Sequence, residues 1–322
     1  MLQLNRDTLI EAYRQMRTIR VFEDRLHLER PRGIIPGGVH LYAGQEAVAV
    51  GFCMNLGEGD YVASTHRGHG HSIAKGCDVK AMMKEIYGRQ GGLCNAKGGS
   101  MHIADISKGM LGANGIVGGG PPLVCGAALT AKTLKTGGVA LGFIGDGASS
   151  QGTTNESFNL AAVLKLPAVF VLEDNGFGEG TPSSYAVAGD VLTRAEGFGL
   201  RTYEADGADF FAVYETAAEA VRTARAGEGP AFVYVRCDRF YGHFEGDAQT
   251  YRGPGELDDI RQNRDPLSLF RARVTEAALL GDEQLGAVDK EVATLIDEAV
   301  EEATNAPKPP LSDLTKDVYI SY

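Results

Sequence analysis

The segment that most narrows the fold is "VALGFIGDGASSQGTTNESFNLAAVLKLPAVFVLEDNGF", which runs from Val139 to Phe177. Two apolar runs, VALGFI and AVFVL, flank a helical stretch at about 156–164, and that alternation predicts a parallel βαβ unit. In an open parallel sheet, ligands gather beyond the carboxyl ends of the strands. Asp146 follows the first run and Asn175 the second, so one crossover brings both side chains to the same edge. A carboxylate, an amide carbonyl and a nearby backbone carbonyl are the hard oxygen donors that Mg²⁺ prefers. The segment after Gly147 can offer free backbone N–H groups at a helix start to phosphates. No GK[ST] follows the GDG, and its glycines do not fit GxGxxG. Taken alone, "GDG" also fits a tight turn in which Asp146 caps a helix; the second polar cluster is what favours a ligand site.

The rest of the chain continues the alternation. Residues 7–30 read as a helix with apolar positions Leu9, Ile10, Tyr13, Met16 and Ile19, which Asp7 can cap. "RPRGIIPGGVH" breaks it with two prolines and three glycines, and a second helix begins near Gln45. The strand "YVAST", the polar stretch "HRGHGHSIAKG" and a helix at about 80–87 follow. The glycine-rich stretch 88–120 reads as a long functional loop. After the central unit come "GLRTYEADG", a helix at about 211–226, the strand "AFVYVRC" and the polar loop "DRFYGHFEGDAQTYRGPGE". We therefore expect an α/β fold with a mainly parallel sheet and helices on both faces. Residues 1–322 are expected to form a single domain, with an N-terminal helical arm over 1–40 and a helical region over 266–322.

Composition excludes several classes. A chain of 322 residues, 43% of them hydrophobic, can bury a large core. A formal charge of -11 argues against a nucleic-acid partner, which needs a basic face. No apolar run reaches the roughly 20 residues of a membrane span, so no membrane partner is expected. The five cysteines form no CxxC pair and read as reduced thiols, which points to the cytoplasm.

With these residues in view, the chain resembles the alpha subunits of thiamine-diphosphate-dependent 2-oxo acid and acetoin dehydrogenases. The thiamine motif of that family stands here as "GDG" at 145–147 and "EDNGF" at 173–177. "HLYAGQEAVAVG", "HRGHG", "KGGSMH", "NGIVGGGPPL" and "YGHFEGDAQTYR" are similar to further family segments, in the same order. The resemblance implies thiamine diphosphate and Mg²⁺ as cofactors, with the metal on Asp146, Asn175 and the main-chain carbonyl of Phe177. It implies cofactor contacts from His66, Arg67, Gly115, Val117, Gly147, Ala148 and His243, besides Asp146 and Asn175, and places His40 and His243 at the mouth of the site as catalytic residues. It also implies a beta subunit, in an assembly of two alpha and two beta chains, and a lipoyl-bearing acyltransferase. "GHFEGDAQTYR" looks most like the acetoin enzymes, with a pyruvate or branched-chain 2-oxo acid dehydrogenase as the alternative. Asp174 stands where the family usually has Asn, and His66 where Tyr is frequent.

Three residue readings stay open at this level. His66, His69 and His71 are spaced closely enough to hold zinc, although no Cys or carboxylate lies near them in sequence; a solvated polar loop is the plainer reading. Val117 can be plain core. Glu46 is expected in the first turn of its helix, where a negative charge suits the dipole, because the resemblance puts the carboxylate that activates the cofactor on the beta subunit. A non-catalytic nucleotide or sugar-phosphate binding protein remains the reading from another class.

Overall fold

The computed structural model describes residues 4–318. Its strands are β1 (Tyr61–Ala63), β2 (Met110–Gly112), β3 (Ala140–Gly145), β4 (Ala168–Asp174), β5 (Phe177–Gly178), β6 (Thr181–Pro182), β7 (Arg201–Asp206) and β8 (Ala231–Arg236). Six of them form one sheet in the order β2-β1-β3-β4-β8-β7, parallel throughout; β5 and β6 make a small antiparallel hairpin. The helices, in chain order, are α1 (Arg6–Glu29), α2 (Glu46–Cys53), α3 (His69–Ala74), α4 (Val79–Ile86), α5 (Gly120–Leu134), α6 (Asp146–Ser149) and α7 (Gly152–Val163). They continue with α8 (Ser183–Ala186), α9 (Val191–Gly197), α10 (Phe210–Arg225), α11 (Glu256–Asn263), α12 (Pro266–Glu276) and α13 (Asp282–Asn305).

The period of two along each strand divides the core in two. Leu141 and Phe143 of β3, Val169 and Val171 of β4 and Val233 of β8 join one buried cluster, with apolar residues of α1, α2, α10 and α13. Ala140 and Ile144, Phe170 and Leu172, and Phe232 join the other, with residues of α5, α7 and α9. Helices therefore cover both faces, as the sequence predicts. Phe170 is fully buried, so truncating it to Ala costs about 3–5 kcal/mol. Gly142 in β3 leaves room for a helix: a Cβ there would stand 2.6 Å from Val124 of α5. Long α1 and α13 pack together, and the Tyr13 hydroxyl donates to Asp289 at 2.9 Å.

Three local expectations are corrected. The N-cap of α1 is Asn5, whose Oδ1 accepts the Thr8 N–H at 2.8 Å, while Asp7 lies one residue inside the first turn. The stretch "HRGHGHSIAKG" is not a solvated loop, since it carries α3, all of whose residues are buried. A hydropathy pattern misses it because two of those residues are histidines. The glycine-rich stretch 88–120 contains β2 and is organised by one side chain: the buried Glu85 carboxylate accepts the N–H groups of Cys94, Ala96, Gly98 and Gly99 at 2.8–3.0 Å. Among the described residues no helix is long and apolar enough to cross a membrane.

Candidate active site

The sheet order reverses between β1 and β3, because β2 leaves β1 on one side and β3 joins it on the other. Such a switch point opens a crevice at the carboxyl ends of the strands. A cavity of about 390 Å³ lies there, lined by the loops after β1, β3 and β4. That volume suits a small organic cofactor. Asp146, Gly147 and Ala148 enter from the loop after β3, and Asn175 and Phe177 from the loop after β4. His66 and Arg67 follow β1, and His243 comes from the loop after β8. His40 precedes α2, and Gly115 and Val117 lie before α5. The fold thus gathers into one cavity every residue that the family resemblance implies for metal, cofactor or substrate.

At its floor, Asp146 opens the one-turn helix α6 and is 5% exposed. Its Oδ2 is buried without a hydrogen-bond partner, and so is Oδ1 of Asn175. The Asn175 amide is held by Gln45, its Nδ2 donating to Oε1 at 2.9 Å, which fixes where the amide oxygen stands. Burial, and then the neighbouring Asp174 charge, push the Asp146 carboxyl above the usual carboxylate range. The capping reading of Asp146 fails, since the N-cap of α6 is Gly145 and no side chain caps it. Beyond the adjoining backbone, no protein atom lies within 4 Å of a Cβ built on Gly145 or Gly147, which leaves room beside them for a ligand.

Arg67 reaches the same space from the other side. Its guanidinium donates to the carbonyl of Leu41 and, at 2.9 Å, to that of His243. Burial and the nearby Arg239 push its pKa down, a setting that an anion would relieve. His40, His66 and His243 cluster at the mouth, with ring centroids 4.7–5.1 Å apart. Burial, then Arg67, lower the pKa of His40 to about 3 and that of His243 to about 4, so both are neutral near pH 7. His69 and His71 do not join them. His69 bonds Glu23 and Ser100, and His71 bonds Ser64 and Glu173, and neither histidine lines the cavity. The zinc grouping of His66, His69 and His71 is therefore overturned.

The family model described as the dehydrogenase E1 component matches residues 14–312. The chain belongs to this family. The chain is 59% identical over its full length to the alpha subunit of an acetoin:2,6-dichlorophenolindophenol oxidoreductase from Cupriavidus necator, covering 97% of that protein. It is 50% identical to the corresponding Bacillus subtilis subunit, with 100% of this chain and 96% of that protein covered. The pyruvate dehydrogenase E1 component subunit alpha of Rhizobium meliloti is 38% identical, with 99% of this chain and 92% of that protein covered. Membership of the E1 component family implies a thiamine-diphosphate-dependent oxidoreductase.

Within an E1 component, several details of this chain acquire a physical account. The Asp174 carboxylate is turned away from the cavity floor and accepts the Gly176 N–H and the Tyr234 hydroxyl, each at 3.0 Å, so its extra charge builds the turn that carries Asn175. Val117 is 51% exposed, which excludes plain core. Glu46 stands in the first turn of α2, as expected; it is also fully buried and faces Arg20 at 2.6 Å and the Gly44 N–H at 3.0 Å, so an ion pair adds to the helix dipole there. Gln45, Glu173 and Arg239 also line the cavity and were not singled out from the sequence. Gln45 stood inside the quoted "GQEA". Arg239 carried no motif: it is buried and donates to the Tyr241 carbonyl and the Tyr251 hydroxyl at 3.1 and 2.7 Å, which binds two ends of the loop bearing His243.

Proposed function

We propose that the chain is the alpha subunit of an acetoin dehydrogenase, which cleaves the C–C bond of acetoin next to its carbonyl and transfers the acetyl unit to a lipoyl group. The two unpartnered oxygens of Asp146 and Asn175, one crossover apart at a strand-end cavity, are the observation that supports a cofactor-bound metal. A carboxylate oxygen, an amide oxygen and the Phe177 carbonyl would hold Mg²⁺, a hard cation that keeps further positions for phosphate and water. When bound, thiamine diphosphate supplies the carbanion chemistry. Arg67 and the N–H groups of Gly147 and Ala148 would hold the diphosphate, and Gly115 and Val117 would contact the aminopyrimidine. His66 would contribute at the diphosphate end.

The residues of this chain then position substrate and move protons. His40 and His243, neutral near pH 7, can each donate or accept one hydrogen bond at the acetoin oxygens and shuttle a proton there. Three uncharged imidazoles at the mouth suit a neutral hydroxyketone. Acetoin as substrate rests on the full-length likeness to acetoin relatives at 59% and 50% identity.

The site is proposed to be completed by a beta subunit in a two-alpha, two-beta assembly, working with a lipoyl-bearing acyltransferase. Ile116 and Val117, 70% and 51% exposed beside the cavity, support that reading, together with Leu123 of α5 and Val163 of α7. Exposed apolar side chains beside a ligand cavity are a feature of protein interfaces. We assign the chain to the cytoplasm, supported by its five unpaired cysteines, and residues 1–322 to one domain, supported by the packing of α1 on α13. The test is to co-express the chain with its beta subunit and compare acetoin, pyruvate and branched 2-oxo acids with a dye acceptor. Preferred turnover of acetoin is expected; preference for a 2-oxo acid would move the assignment to that class.

A further inference from the structure

His40, His66 and His243 come from three segments far apart in sequence, yet one ring nitrogen from each lies within 4.8 Å of the others. None of the three rings hydrogen-bonds a described residue, and Nδ1 of His40 is buried with no partner. The other two histidines of this region behave differently. Both ring nitrogens of His69 are partnered, by Glu23 and Ser100, and both of His71, by Ser64 and Glu173. Where this fold uses a buried histidine structurally, it satisfies both nitrogens. A buried nitrogen left unmade costs about 1–3 kcal/mol, so the mouth cluster lacks a partner that the chain itself does not supply.

We propose that His40, His66 and His243 form a three-imidazole site for a borderline transition-metal ion, Zn²⁺ first among them, distinct from the oxygen-donor site at Asp146. The donor chemistry separates the two. Imidazole nitrogens suit Zn²⁺, Cu²⁺ or Ni²⁺, whereas carboxylate and carbonyl oxygens suit Mg²⁺. Zn–N bonds of about 2.0–2.1 Å put the nitrogens roughly 3.3 Å apart at tetrahedral corners. From the observed spacing of up to 4.8 Å, the nitrogens close by up to about 1.5 Å on binding. Three protein ligands leave a position for water or an anion, as in open zinc sites. The charges of Arg67 and Arg239 weaken a dication here, although both guanidiniums are engaged by backbone carbonyls. His66 is the residue that completes the set, which gives it a role apart from any cofactor contact.

The consequence for catalysis rests on the proposed function: because His40 and His243 are the substrate histidines of that reading, an occupied site blocks substrate, and Zn²⁺ acts as an inhibitor that competes with acetoin. The test uses the full chain in complex with its partner subunit, stripped of metal and of thiamine diphosphate and held in excess Mg²⁺. Zn²⁺ is titrated by calorimetry, and Co²⁺ by the visible absorption of its tetrahedral complex. We expect one Zn²⁺ per alpha chain and an affinity at least about tenfold lower in each of His66→Tyr and His243→Gln, two variants at separate positions so that the loss of one to misfolding leaves the other. Absence of Zn²⁺ binding, or binding unchanged in the variants that fold, overturns the site. Histidine-dependent binding in a complex that does not turn over acetoin would leave the site standing and remove the functional reading instead.

Discussion

Asp146 and Asn175 stand at the ends of neighbouring parallel strands, and each leaves one buried oxygen without a hydrogen-bond partner. A folded chain that keeps a carboxylate in this state, with its pKa raised by burial and by Asp174, carries a cost that a bound cation would remove. Replacing Asp146 by Ala should therefore separate binding from stability. Mg²⁺-dependent affinity for thiamine diphosphate should fall at least about a hundredfold, while the melting temperature of the cofactor-free protein stays level or rises. Cofactor titration and a thermal melt on the same sample check this. Unchanged cofactor affinity would remove the metal assignment.

Glu46 gives the opposite outcome. It is fully exposed to no solvent, pairs with Arg20, and is absent from the cavity lining; Arg20 in turn reaches Asp265 at 2.9 Å. Removing Glu46 leaves the buried Arg20 with Asp265 as its remaining partner, so Glu46→Ala should destabilise the chain by about 3 kcal/mol, the low end for a broken buried pair. Cofactor affinity of the molecules that remain folded should match that of the unaltered protein. A large loss of cofactor affinity at preserved stability would instead make Glu46 part of the site.

The contrast between these two acids shows what the sequence could convey. Asp146 is legible because a glycine pair follows an apolar run, and the strand end fixes where its side chain must go. The helix around Glu46 is legible too, but its partner Arg20 lies in another helix, and nothing local announces the pair. The same limit explains the histidines. Spacing groups His66 with His69 and His71, whereas the start of α3 turns the latter two inward and leaves His66 with His40 and His243, residues that only the sheet brings near. Short β2 escaped notice because three residues in a glycine-rich stretch carry no period. The loop around His243 shows few apolar anchors in the sequence; the polar contacts that tie it to the rest of the chain, such as the Tyr241 hydroxyl on Asp24 at 2.9 Å and His27 on Glu245 at 2.9 Å, are long-range.

Asp60 supplies a pH dependence whose sign follows from its contacts. Burial alone raises its pKa, but the Arg225 fork, with bonds of 3.0 and 2.6 Å, and the N–H groups of Gly57 and Val139, both at 2.7 Å, hold it below the ordinary carboxylate value. A carboxylate whose folded pKa is depressed contributes stability above its unfolded pKa of about 3.9 and loses it as the pH falls through the folded value. Asp60→Asn should thus lower stability by about 1–3 kcal/mol at pH 7 and flatten the decline below about pH 4. Urea titrations at pH 7 and pH 3 measure both. An equal decline in the two proteins would place the acid sensitivity elsewhere.

The last expectation concerns the uncovered face. Val163 of α7 is 70% exposed and Leu123 of α5 is 47% exposed, and α5 and α7 pack side by side. A charge placed at Val163 meets water in the isolated chain, so Val163→Asp should change its stability by no more than about 0.5 kcal/mol. At an interface the same carboxylate would be buried without a partner, which costs several kcal/mol and prevents association. The variant should fold and lose co-purification with the beta subunit, and acetoin turnover with it. The unaltered chain, purified alone, should likewise bind thiamine diphosphate weakly and turn over nothing until the beta subunit is added. Stoichiometric co-purification of Val163→Asp would place the partner on another face, and full turnover by the isolated chain would show a self-contained site.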